Sequence, residues 1–421
     1  MSYGSKPIVN LVLIGEQGSG KSTLLARLLT AHGEPAHKKT ATPTVDCYYV
    51  NFKTARFDVT AFDAPGNVEY MKNATTAMAC ADCALVVVSA APGEFEAGIG
   101  PDGMTRAHVL LAYTLGVKQC IVVVNKLDTI EPASAEARFS EISRELMAYV
   151  KKVGFNPTAV ACLPVSALSG ENVATPASSQ SWFAGWAVER TEGDVSGTTL
   201  VEAIDVMLRP ERADKKPLRL SLLDVYNRDG GGAIVVGLVN AGAVRSGMTL
   251  QLAPAGKPVV VDSVQFHGKD LGSADVTAGA CVGLALSGVE PGELHRGDVL
   301  GDPANHPPVR ADAFSAEVIM VNHPAEVHAG YEPFLDAHSA HFTAKMAILA
   351  ETIDRRAGKV IEKNPLCIQN GDTAIVWFVP RAPVVVEAFS EFQPLGRFSI
   401  RDNHGVVGVG VIKEVGSLPN G

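Results

Sequence analysis

No stretch of this chain is long and apolar enough to read as a membrane span, and its first residues lack the pattern of a secretory leader. Neither membrane insertion nor export is therefore expected. Cysteine is sparse: there are seven in 421 residues, with no Cys/His cluster, and Cys80 and Cys83 alone do not make a zinc site. An odd number of such thiols fits a reducing compartment, so a cytoplasmic location is expected. Positive charge is also in deficit. Lys and Arg total 36 against 45 Asp and Glu, a net −9, so the overall field does not draw nucleic acid. DNA binding is not expected, although a local basic patch can still hold RNA. What remains is an ordinary globular composition, 47% hydrophobic, in a chain long enough for roughly two to four domains.

The clearest positive signal is the run Gly15-Glu16-Gln17-Gly18-Ser19-Gly20-Lys21-Ser22-Thr23. It follows the apolar run 9–14 and precedes the amphipathic run 24–29. A strand, a glycine turn and a helix start, in that order, make a phosphate cradle. Glycines let backbone N–H groups converge on phosphate, and the helix dipole favours the anion. Lys21 then reaches the β- and γ-phosphates, and the Ser22 hydroxyl serves as a ligand to Mg²⁺. The pattern predicts binding of a nucleoside triphosphate.

A second motif selects the base. Asn125-Lys126-Leu127-Asp128 closes an apolar run and lies about a hundred residues beyond the P-loop. Guanine offers an N1–H and a 2-amino group that one carboxylate accepts together, and Asp128 supplies it; adenine offers no such pair. Asn125 braces the P-loop and purine N7, while the Lys126 stem covers the ring. Ser166-Ala167-Leu168, after the apolar run 159–165, fits the loop whose backbone N–H meets guanine O6. Between these motifs lies Phe62-Asp63-Ala64-Pro65-Gly66-Asn67. Asp63 is placed to hold Mg²⁺ through water and Gly66 to sense the γ-phosphate with its N–H. Thr44, in a Thr/Pro segment, either closes over Mg²⁺ and the γ-phosphate or is a turn residue before the next strand.

Residues 7–210 alternate apolar strands with amphipathic helices, which predicts a mostly parallel sheet with helices on both faces. Within them, 170–197 reads as an insertion of small and polar residues with its bulk in Trp182, Phe183 and Trp186. A charged linker follows at 209–217, and beyond it come short valine-rich strands punctuated by glycine. The expected organisation is an α/β P-loop G domain over 1–213, followed by two all-β barrel domains over 214–308 and 309–421.

With these motifs placed, the chain resembles elongation factor 1-alpha, the translational GTPase that brings aminoacyl-tRNA to the ribosome. The likeness spans nearly all of the sequence. It is most specific at Ala81-Asp82-Cys83-Ala84, Gly93-Glu94-Phe95-Glu96-Ala97-Gly98 and Thr114-Leu115-Gly116-Val117. In the β region it rests on Pro217-Leu218-Arg219-Leu220, His295-Arg296-Gly297-Asp298-Val299 and Asn322-His323-Pro324. Ile353-Asp354-Arg355-Arg356-Ala357-Gly358-Lys359 and Pro394-Leu395-Gly396-Arg397-Phe398 complete it. Release-factor and ribosome-rescue GTPases share the layout. The resemblance implies GTP, GDP and Mg²⁺ as ligands, ribosome and aminoacyl-tRNA as partners, and a guanine nucleotide exchange factor.

Several positions depart from the family. A histidine that positions the attacking water follows D-x-P-G there; Asn67 stands in that catalytic place here, which implies slow GTP hydrolysis. Gly18 replaces the usual P-loop aspartate. The segment 30–43 is shorter than the family's first switch, with His37-Lys38-Lys39 as an exposed tip. Gln265 replaces the glutamate set against the terminal adenosine, and Ala280 and Cys281 replace an Asp-Asn pair near the aminoacyl group. Arg296 is retained at a position the family associates with tRNA. Losing such polar partners costs roughly 1–3 kcal/mol each. The implied function is therefore GTP-dependent aminoacyl-tRNA delivery with impaired hydrolysis, or a GTP-responsive regulatory paralogue that docks on the ribosome without carrying tRNA.

Overall fold

A computed structural model describes residues 6–35, 44–46, 48–191, 193–228, 232–321, 323, 325–354, 357–402 and 405–419. The tip at His37-Lys38-Lys39 and the motif residues Asn322, Pro324, Arg355 and Arg356 lie outside them. The chain divides into two compact units, Met1–Pro210 and Glu211–Gly421.

The first unit is built on six strands: β1 (Ile8–Ile14), β2 (Tyr48–Lys53), β3 (Asp58–Asp63), β4 (Cys83–Ser89), β5 (Gln119–Asn125) and β6 (Ala161–Pro164). Their spatial order is β2-β3-β1-β4-β5-β6. All neighbours run parallel except β2, which forms an antiparallel hairpin with β3. β4 is buried at every residue, as a strand covered on both faces must be, and this is why it reads as an unbroken apolar run from Cys83 to Val88. The covering helices are α1 (Lys21–Ala31), α2 (Met71–Ala79), α3 (Glu94–Ile99), α4 (Met104–Leu115), α5 (Pro132–Val153) and α6 (Leu200–Asp205). Leu24 and Leu28 of α1 join Val9, Leu11 and Leu13 of β1 in one core. Among the described residues, no helix is long and apolar enough to cross a membrane.

The expected insertion at 170–197 has internal structure. Trp186–Val188 pairs antiparallel with Val195–Gly197, and the Trp186 indole N–H donates to the Thr199 carbonyl at 3.1 Å. Trp182 and Phe183 pack on Phe139 of α5 at centroid distances of 5.5 and 5.9 Å. Each large ring thus finds an apolar partner, which a reading of composition alone does not locate.

The second unit holds two closed six-strand antiparallel barrels, each carrying one further short edge strand. The first spans Arg219–Asn227 to Val299–Gly301 and the second Ala313–Met320 to Gly405–Gly416. Closure removes free sheet edges, so short, glycine-punctuated strands suffice. The two barrels are joined through Arg219, which is fully buried. Its Nε donates to Glu387 at 2.6 Å, its Nη1 to the His306 carbonyl at 2.8 Å, and Phe392 lies 4.2 Å beneath the guanidinium. A buried cation is tolerated only with such partners.

Candidate nucleotide site

Order in the sheet decides where the motifs meet. In a parallel sheet the loops after successive strands emerge on one edge, and the crevice falls where the strand order reverses, here at β1. Residues 15–20 follow β1, 64–67 follow β3, 126–128 follow β5, and 165–168 follow β6. Four segments spread over about 150 residues of chain therefore line one rim.

The loop after β1 opens α1. Gly20 caps the helix at φ 96°, where a side chain is strained, and a Cβ there would also collide with the Asn125 amide. The helix start has no side-chain cap and no acidic residue in its first turn, so its N–H groups and positive dipole end are left for an anion. Lys21 is buried and folds back on the loop, donating to the carbonyls of Gly15 at 2.9 Å and Glu16 at 2.8 Å. Burial pulls its pKa down to about 8, against the opposing pull of Asp63 and Glu16. Gly18 is exposed at the loop tip, Ser19 is buried with its hydroxyl unpartnered among the described residues, and Thr23 is half-buried in the first turn.

Asp63 ends β3 directly opposite. One carboxylate oxygen accepts the Ser22 hydroxyl at 2.5 Å, and the other is buried without a partner among the described residues. Thr44 Oγ1 stands 3.4 Å from Ser22 Oγ. Burial raises the Asp63 pKa, with the Ser22 hydrogen bond and the Lys21 charge opposing it. An unpaired buried carboxylate oxygen beside two hydroxyls is an all-oxygen donor set, which suits a hard divalent cation. Gly66 is also forced: a Cβ on it would stand 2.6 Å from both Lys21 Nζ and the Gln17 nitrogen. The turn after β3 therefore lies against the lysine loop. Asn67 caps the short turn Val68–Tyr70, its side-chain oxygen accepting the Glu69 N–H at 3.1 Å.

Asn125 ties the two sides of the rim together. Its amide donates to the Ser19 carbonyl at 2.8 Å and accepts the Ala167 N–H at 2.9 Å. Both bonds are buried, and leaving either polar group unpaired costs roughly 1–3 kcal/mol. Lys126 adopts φ 66° and its ammonium pairs with Glu94 at 2.6 Å. Asp128 is exposed and makes no hydrogen bond among the described residues. Ser166 is buried and its hydroxyl accepts the Ser169 N–H at 3.1 Å, whereas the Leu168 side chain is 70% exposed. Grouped N–H donors and an ammonium at one end, with a free carboxylate at the other, match the two ends of a guanine nucleotide.

Residues 6–210 match the family model for the elongation factor Tu GTP binding domain, and residues 313–413 match that for the GTP-eEF1A C-terminal domain. This chain belongs to the elongation-factor family of translational GTPases. It is a guanine-nucleotide-binding protein. Among solved structures, it is similar to the elongation factor SelB of Methanococcus maripaludis bound to the GTP analogue GppNHp. That match has 20% identity and a TM-score of 0.72, covering 99% of this chain and 81% of SelB. A bacterial selenocysteine-specific elongation factor matches at 18% identity and TM-score 0.68, over 96% of this chain and 58% of that one. Sup35 complexed with GDP is 27% identical over 99% of this chain and 96% of its own, at a TM-score of 0.46.

Other groups that shape this family's site here have no motif in the sequence. His108 of α4 is fully buried and accepts the Gly15 N–H on Nδ1 at 3.2 Å, while its Nε2 is buried and unpartnered among the described residues. Burial, with Lys21 nearby, holds its pKa down to about 3, so the ring is a neutral acceptor. The Glu16 carboxylate accepts the Met104 N–H at 3.0 Å and so fixes the lysine loop to the start of α4. Arg27 donates to the carbonyls of Ala167, at 3.0 Å, and Leu168. In the barrel region Ala280 and Cys281 are buried, Gln265 is exposed, and Arg296 donates to the Leu223 carbonyl at 2.8 Å.

Proposed function

We propose that this chain is a slow GTP-hydrolysing switch of the elongation-factor type, whose GTP state carries aminoacyl-tRNA to the ribosome. The phosphates rest on the loop Gly15, Gly18, Ser19 and Gly20 and on the first turn of α1, with Lys21 between the β- and γ-phosphates and Thr23 beside them. Ser22, Thr44 and Asp63 hold Mg²⁺, which when bound neutralises phosphate charge. Gly66 contacts the γ-phosphate end. Asp128 reads the guanine edge, Lys126 covers the ring, Asn125 braces the site, and Ser166, Ala167 and Leu168 close over O6. The observation that carries slow hydrolysis is the committed oxygen of Asn67, which caps Glu69 at 3.1 Å. An amide so engaged is a poor substitute for a ring that orients water, a role worth orders of magnitude in rate.

On this reading Asn67→His raises ribosome-stimulated GTP turnover by at least about 10-fold in a multiple-turnover phosphate-release assay. Equal turnover by both proteins removes the assignment. The buried, apolar Ala280 and Cys281 favour a second reading, in which the GTP state docks on the ribosome without tRNA. Protection of aminoacyl-tRNA against spontaneous ester hydrolysis separates the two. A carrier slows deacylation in the GTP state and not in the GDP state. No protection in either state, with GTP-dependent ribosome binding intact, leaves the regulatory reading.

A further inference from the structure

We propose that Gln17 supplies the amide that orients the attacking water in this site, in place of the residue that follows the Asp63–Gly66 turn. This rests on the reading of the site as a GTPase. It follows from asking which side chains near the lysine end are free to hold a water. Asn67 is engaged as a cap. Glu16 is a carboxylate committed to Met104 at 3.0 Å and to the Gln17 N–H at 3.3 Å, and its charge opposes approach to a triphosphate. Ser19 is buried beneath the loop, and Ser22 is bound to Asp63. Gln17 is exposed, and its side-chain amide makes no hydrogen bond among the described residues.

Its position is fixed by close packing. The Gln17 main-chain nitrogen is 2.6 Å from where a Cβ on Gly66 would stand, and Lys21 Nζ is equally near the same point. Residue 17 thus sits at the junction of the lysine loop and the turn after Asp63, the two segments that flank the terminal phosphate in this reading. An amide has the right equipment: its oxygen accepts a hydrogen bond from the water O–H and its NH₂ donates to a phosphate oxygen. It is not a base at neutral pH, and none is required. The water oxygen bonds to the γ-phosphorus, the bond to the bridging oxygen breaks with its electron pair leaving on GDP, and the water proton ends on a phosphate oxygen. Holding the water in line lowers the barrier by orientation.

The test is single-turnover hydrolysis of preloaded GTP by the full chain without ribosomes, with Gln17→Ala and Gln17→Met beside the unmodified protein. Methionine keeps the length of the side chain and removes the amide. Both variants are expected to hydrolyse GTP about 10- to 100-fold more slowly. Their affinity for a fluorescent GDP analogue is expected to stay within about 2-fold, because the exposed side chain makes no contact that the fold needs. Turnover equal to or faster than that of the unmodified chain, in either variant, overturns the assignment. No detectable turnover by the unmodified chain overturns the GTPase reading as well, so the two failures are told apart.

Discussion

Asp128→Asn is expected to lower GTP affinity by at least about 100-fold and to make xanthosine triphosphate the tighter ligand. In the proposed site the carboxylate accepts two N–H groups from guanine, and an amide in its place sets a donor against one of them. Xanthine carries a carbonyl where guanine carries the amino group, so the same amide regains a partner. The change is confined to recognition, because Asp128 is exposed on the short turn Leu127–Thr129. That turn is held by other groups, the Thr129 hydroxyl donating to the Lys126 carbonyl at 2.7 Å. Competition titrations with GTP, xanthosine triphosphate and ATP check the result. An unchanged order of preference shows that the base is read elsewhere.

Lys21→Ala is expected to reduce GTP and GDP affinity by about 1,000-fold or more, since it removes a buried charge worth several hydrogen bonds to phosphate. The lysine is already folded onto the Gly15 and Glu16 carbonyls, so its ordering does not await the ligand. Its lowered pKa adds a signature. At about 8, the ammonium is intact at neutral pH and is lost as pH rises through that value. Only the charged form attracts phosphate, so affinity is expected to be flat below about 8 and to fall by up to about 10-fold per pH unit above it. Calorimetric titration from pH 6.5 to 9.5 follows this limb, and the alanine variant lacks it. Undiminished affinity in that variant contradicts the placement of the phosphates.

Much of the fold was legible because its signals are local. The buried run of β4 and the strand-loop-helix order at Gly15–Lys21 each occupy one stretch of chain, and parallel pairing then brings their loops to one edge. The antiparallel place of β2 was not legible: the run 45–50 reads only as strand-like, with no direction, whereas the strand is Tyr48–Lys53 and turns back on Asp58–Asp63 as a hairpin. The supports of the site were hidden for another reason. His108 reaches Gly15, Glu16 reaches Met104, and Arg27 reaches Ala167 across 93, 88 and 140 residues. Each is a common residue on a helix or loop, with nothing nearby in sequence to mark it. Asn67 shows the same limit at short range. Its type departs from the family histidine in the sequence, but its use as a cap emerges only from backbone geometry.

The most direct measurement is a crystal structure of this chain grown with GDP and Mg²⁺. The account predicts one bound nucleotide whose β-phosphate lies within hydrogen-bond reach of Lys21 Nζ and whose guanine edge faces the Asp128 carboxylate. A nucleotide bound away from either residue, or one that reaches Lys21 with its base turned from Asp128, contradicts it.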